Sequence, residues 1–120
     1  MNREEVIKFI YDEFGVEGER LWAQFPNYVV FRNKRNRKWF ALIGDVEKGK
    51  LGLDGEGKTD VMVLKCDSIL IGSLIHNEGY LPAYHMNKKT WISVLLEGKA
   101  PDEQIKDLIH LAFDIIDGKK

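Results

Sequence analysis

One stretch near the end of the chain constrains the fold most: "PDEQIKDLIHLAFDIIDG", residues 101 to 118. Ile105, Leu108, Ile109, Ala112, Ile115 and Ile116 recur at helical spacing and form one apolar stripe, which a helix has to bury against another layer. Pro101 stands at the start, Asp102 and Glu103 oppose the helix dipole, and Gly118 offers a left-handed stop. A second stripe opens the chain. Asn2 and Glu5 have capping-box spacing, Ile7, Ile10, Tyr11 and Phe14 fall at i, i+3, i+4 and i+7, and Gly15 closes the segment.

Between the two helices the period changes from helical to alternating. Residues Tyr28 to Phe31 and Trp39 to Ile43 are rich in β-branched and aromatic side chains, and "RNKRNRK" between them reads as a basic hairpin tip. "GDVEKGKLGLDGEGKTD", residues 44 to 60, holds five of the eleven glycines and reads as a loop or short hairpin. "VMVLKC" follows as a strand, and Asp67 caps a short helix across "SILIGSLIHN", with Ile71, Leu74 and Ile75 facing inward. "GYLPAYHMNKKTW" reads as a turn leading into a strand, "WISVLL". Helix, strands, short helix, strand and helix in that order predict an α+β fold. The expected architecture is a two-layer sandwich, an antiparallel β-sheet with the N- and C-terminal helices on one face, in a single domain over residues 1–120.

Composition narrows the function classes. No apolar run reaches the roughly 18 residues of a spanning helix, and "MNREEVIKF" carries acids where a signal peptide would carry a basic region. No membrane association is expected, and the location expected is the cytoplasm. Cys66 is the single cysteine, so one chain can form neither an internal disulfide nor a cysteine-based zinc site. The net charge of −1 is unlike that of an overall basic nucleic-acid binder, but its distribution is uneven. Residues 1 to 31 hold three basic and six acidic side chains, while residues 32 to 50 hold seven basic and two acidic.

Several patterns point to chemistry and then lose their context. "GLDGEGKT", residues 52 to 59, matches the phosphate-loop pattern. Such a loop must open a helix, whereas Thr59 leads into a strand pattern and Asp54 and Glu56 would repel a triphosphate. His76, His85 and His110 lie on separate elements with no ligand spacing, and the acids of the first helix, Glu5 and Asp12 among them, read as a solvated face. No metal or cofactor is expected. Ser68, Ser73, Ser93 and Cys66 sit in no recognisable nucleophile elbow, so the reading is non-enzymatic.

Two basic turns remain. The tip holds Arg32, Lys34, Arg35, Arg37 and Lys38, which either keep an exposed hairpin soluble or lie along a phosphate backbone as a wing. The later turn presents Lys88 and Lys89 after Asn87, with Tyr84 and His85 able to hydrogen-bond phosphates or stack on bases. Trp91 reads as core.

"KWFALI" after a basic tip, then "LKCD", "GYLPAYHMNKKTWISVLLEG" and the closing "PDEQIKDLIHLAFDII" resemble the MmcQ/YjbR family of small bacterial proteins over nearly the whole chain. The most specific part is the run of Gly79, Pro82, Tyr84, His85, Asn87, Lys88 and Trp91. The resemblance implies a frataxin-like (CyaY-like) fold and a double-wing DNA-binding role. The expected partner is then double-stranded DNA, met by Arg32, Lys34, Arg35, Arg37 and Lys38 on one wing and by Tyr84, His85, Asn87, Lys88 and Lys89 on the other, in a monomer or weak homodimer. The alternative is a protein-interaction or small-ligand module in which Tyr80, Tyr84 and Trp91 border the exposed sheet face. Metal handling through first-helix carboxylates comes third.

Overall fold

The computed structural model describes residues 1–118; residues 119 and 120 lie outside the described residues. Helix α1 (Arg3–Phe14) begins at a complete capping box, with Asn2 accepting from the Glu5 amide and the Glu5 carboxylate accepting from the Asn2 amide, and ends at Gly15 with φ 66°. Its inward face differs from the expected stripe. Val6 and Ile10 are buried, Ile7 and Phe14 pack at the margin, and Tyr11 is 54% exposed.

Five strands follow: β1 (Val29–Arg32), β2 (Trp39–Glu47), β3 (Lys58–Lys65), β4 (Tyr80–Pro82) and β5 (Trp91–Leu95). They form one antiparallel sheet in the order β1-β2-β3-β5-β4. Helix α2 (Ser68–Leu74), capped by Asp67, connects β3 to β4, and α3 (Asp102–Asp117) follows β5. Two boundaries depart from the sequence reading. β2 runs through Gly44 to Glu47, because the Tyr28 ring lies over Gly44 so closely that a Cβ there would meet it at 3.1 Å. "GYLP" contributes a short edge strand, where Pro82 has no inner ladder bond to lose.

The two faces of the sheet are built differently. Val29 and Phe31, Phe40, Ala41 and Ile43, Met62 and Leu64, and Ile92 and Val94 point toward the helices. They pack there against Val6 and Ile10 of α1 and Ile105, Leu108, Ile109 and Ala112 of α3, which is the two-layer α+β sandwich expected. The final stripe is shorter than read, since Ile115 is 41% exposed near the end of α3. Arg3 ties α1 to β3 through a bidentate pair with Asp60, 2.8 and 3.0 Å, and donates to the Asn27 carbonyl.

The opposite, open face carries a smaller apolar cluster: Val46, Val61, Val63, Ala83 and Trp91, flanked by Trp39, Leu51, Tyr84, Met86 and Leu95. The segment before β1 covers part of it, with Trp22 edge-on to both Tyr28 and Trp39. Trp91 is core, as read. Tyr80 lies on the helix side, where its hydroxyl meets Gln104, so it does not border the open face as the alternative reading supposed.

Candidate functional site

The register decides where the two basic turns stand. Arg32 pairs with Trp39 at the exit of the β1–β2 tip, Pro82 pairs with Ile92 at the exit of the β4–β5 turn, and β3 finishes between them with Lys65 opposite Trp91. Both turns therefore leave the same end of the sheet. Their centres are three strand intervals apart, about 14 Å at roughly 4.8 Å per interval. Lys65 stands between them, its ammonium 5.4 Å from the centre of the Trp91 ring. Sequence reading passed over Lys65, since a strand-end lysine carries no signal until the register is known.

The first turn is closely held. Asn33, 2% exposed, accepts from the Arg35 and Asn36 amides and donates to Asp117 at 2.8 Å. Arg35 donates to the Asp117 carbonyl at 2.7 Å and to its carboxylate at 3.0 Å, and Asn36 donates to the Ile116 carbonyl. The tip is thus docked on the C-terminal end of α3, where cations and amide donors meet unsatisfied carbonyls. Arg37 adopts φ 64°. Glu19, bonded to Val30 through both backbone groups, places its Oε2 3.2 Å from Arg32 Nε and 3.5 Å from Arg37. The buried Arg32 Nε is close enough for an ion pair but not aligned for a hydrogen bond. Arg32 also stacks over Trp39 at 5.9 Å. Of the five predicted cations, Lys34 and Lys38 are exposed with no carboxylate in ion-pairing range among the described residues, and Lys34 lies over Gly15 at the end of α1.

The second turn is looser. The Tyr84 amide donates to the buried Ser93 hydroxyl at 2.9 Å, and Asn87 accepts from the Lys89 amide at 2.9 Å, closing an Asx turn. His85 takes φ 57°, in the left-handed region that few non-glycine residues adopt, and its ring meets Tyr84 edge-on at 4.1 Å. His85, Asn87, Lys88 and Lys89 are exposed and Tyr84 is half-buried. Burial pushes the Tyr28 phenol upward, and Tyr84 and Asp45 add to that shift.

Burial pushes the Cys66 thiol up to about 11, which leaves it protonated at neutral pH. Among the described residues, no group of three or more His, Cys, Asp or Glu is placed to hold a metal ion, and no helix is long and apolar enough to cross a membrane.

The YjbR family model matches residues 14–115. The chain is 38% identical over 115 residues to the Bacillus subtilis protein YyaQ, described as uncharacterized, covering 96% of this chain and 98% of that one. A crystal structure of a Pseudomonas syringae protein is similar at a TM-score of 0.94 and 40% identity, with 97% of this chain and 99% of that chain covered. A Deinococcus radiodurans protein shares the fold at a TM-score of 0.68 and 20% identity, with 94% of this chain and 76% of that chain covered. The family motif run and the two basic turns on one sheet end are thus features of a chain that belongs to the YjbR family.

Proposed function

We propose that this protein is a non-enzymatic, cytoplasmic binding module that grips the phosphate backbone of nucleic acid, duplex DNA in the first instance, with the sheet end where its two basic turns emerge. The observation that carries the reading is their shared end and their separation of about 14 Å, close to the roughly 12 Å width of a DNA major groove. In this arrangement Lys34 and Lys38 meet one strand's phosphates and Lys88 and Lys89 the other's, with Lys65 between them. Tyr84, His85 and Asn87 shape the second turn.

The net charge of −1 does not oppose this. The acidic residues Glu47, Asp54 and Glu56 lie at the far end of β3. That strand is eight residues long, about 27 Å, or more than three Debye lengths at physiological salt. Repulsion from that end is screened while the near lysines act at contact distance.

Fluorescence anisotropy of a labelled random duplex, titrated with wild type and with a Lys34/Lys38/Lys88/Lys89→Ala variant at a series of salt concentrations, tests the reading. Each phosphate contact adds about 0.9 to the slope of log affinity against log salt, so the variant, lacking four, is expected to lose about 3.6. An unchanged slope, or no binding by wild type at low salt, would defeat it.

A further inference from the structure

On the open sheet face, above edge strand β4, lies a groove of about 330 Å³, near the lower end of the range for small-molecule sites. One wall is the 3-10 turn after β2, which brings Lys50 and Leu51 back over the sheet; the other is the β4–β5 turn with Tyr84, His85 and Lys88. Leu81 forms the floor, since its partner Ser93 shares the face of Trp91 and Leu95. We infer that this groove binds a small organic anion, an aryl phosphate or aryl carboxylate, with Lys50 and Lys88 meeting the anionic group and Leu51, Leu81 and the Tyr84–His85 pair receiving the ring.

Charge separates this groove from its neighbours. Four other grooves of similar size each include carboxylates in their walls, Glu19, Glu4, Asp54 and Glu56 among them, whereas no acid among the described residues lines this one. Among the described residues, neither Lys50 nor Lys88 has a carboxylate in ion-pairing range. Two lysines brought by different elements to one half-apolar cleft give it a positive potential that suits an anion. The backbone gives a second indication. His85 holds its ring against Tyr84 at the groove wall from a left-handed conformation, at φ 57°. Only a few per cent of non-glycine residues adopt that conformation, and such residues collect where a side chain has to be aimed.

The inference does not rest on duplex binding, because Lys50 belongs to neither basic turn. A titration of ¹⁵N-labelled protein with phenyl phosphate, benzyl alcohol and inorganic phosphate in parallel, followed by amide shifts, tests it. Phenyl phosphate is expected to move the Leu51, Leu81, Tyr84 and His85 amides saturably in the millimolar range. Lys50→Ala and Lys88→Ala should each weaken it about three- to fivefold, the effect of one exposed charge pair, while Lys99→Ala, away from the groove, leaves it unchanged. Lys50→Ala should also leave duplex binding as in wild type, so that loss of one activity is told apart from loss of the other. Absence of saturable shifts at those amides, or equal shifts with benzyl alcohol, would overturn the anion site. Equal affinity for inorganic and phenyl phosphate would overturn the role of the apolar floor.

Discussion

The two basic turns look alike in sequence and differ in what they leave free. Each is cationic, each stands at the same end of the sheet, and each contains a non-glycine residue at positive φ, Arg37 at 64° and His85 at 57°. Yet the turn with five cations has two arginines on Glu19 and a third on Asp117, whereas Lys88 and Lys89 face solvent. Cation count in a sequence therefore overstates available charge wherever a neighbouring segment brings in a carboxylate. What a partner meets is the residue left over after internal pairing, and the difference between the turns is open to direct test.

The largest difference is expected in stability. Asn33→Ala removes a nearly buried amide whose oxygen accepts from two backbone amides and whose nitrogen holds Asp117. Leaving such groups unsatisfied costs about 1–3 kcal/mol each, so a loss of about 2–4 kcal/mol is expected after partial rehydration. Asn87→Ala, the matching change in the second turn, removes one exposed bond to the Lys89 amide and should cost about 0.5–1 kcal/mol. Urea unfolding midpoints compare the two. Equal losses would show that the first turn is no more closely held than the second.

A smaller effect is expected from Glu19→Gln, which releases Arg32 and Arg37 from their shared carboxylate. Exposed pairs contribute about 0.2–1 kcal/mol, so duplex affinity should rise about threefold and the salt slope by about one. An unchanged slope would restrict phosphate contact at this end to the lysines and leave the arginines as parts of the fold.

Local signals carried much of this architecture. The capping box of α1, the Asp67 cap, Pro101 at the start of α3 and the left-handed glycines all act within one turn of chain, and each is where sequence reading put it. The errors have a common physical source in contacts made at long range. Tyr11 fits a helical stripe, but the sheet meets α1 along Val6 and Ile10, and only the packing angle decides which. Gly44 reads as the start of a loop until Tyr28, sixteen residues earlier, is seen to cover it within a strand. The docking of Asn33 and Arg35 on Asp117 spans more than eighty residues and leaves no local trace. At the candidate site the second turn was legible as a turn, while Lys50 was not legible as its neighbour, because the glycine-rich segment returns over the sheet instead of extending from it.

The smallest expected effect bears on why the two left-handed residues are there. A side chain with a Cβ in this conformation costs about 1–2 kcal/mol, which glycine avoids at the expense of a more disordered unfolded chain. His85→Gly should accordingly stabilise the fold by about 0.5 kcal/mol. Arg37→Gly relieves the same strain but also gives up the ion pair with Glu19, about 0.2–1 kcal/mol, and should come out near neutral. Thermal unfolding of both variants measures the difference, and phenyl phosphate titration gives it meaning. If His85→Gly is more stable and binds the aryl anion more weakly, the strain at this position is retained for binding. Arg37→Gly should leave that binding unchanged, since its turn lines a different groove. A His85→Gly protein that is more stable and binds as well as wild type would remove His85 from the site and leave Lys50 and Lys88 to carry it.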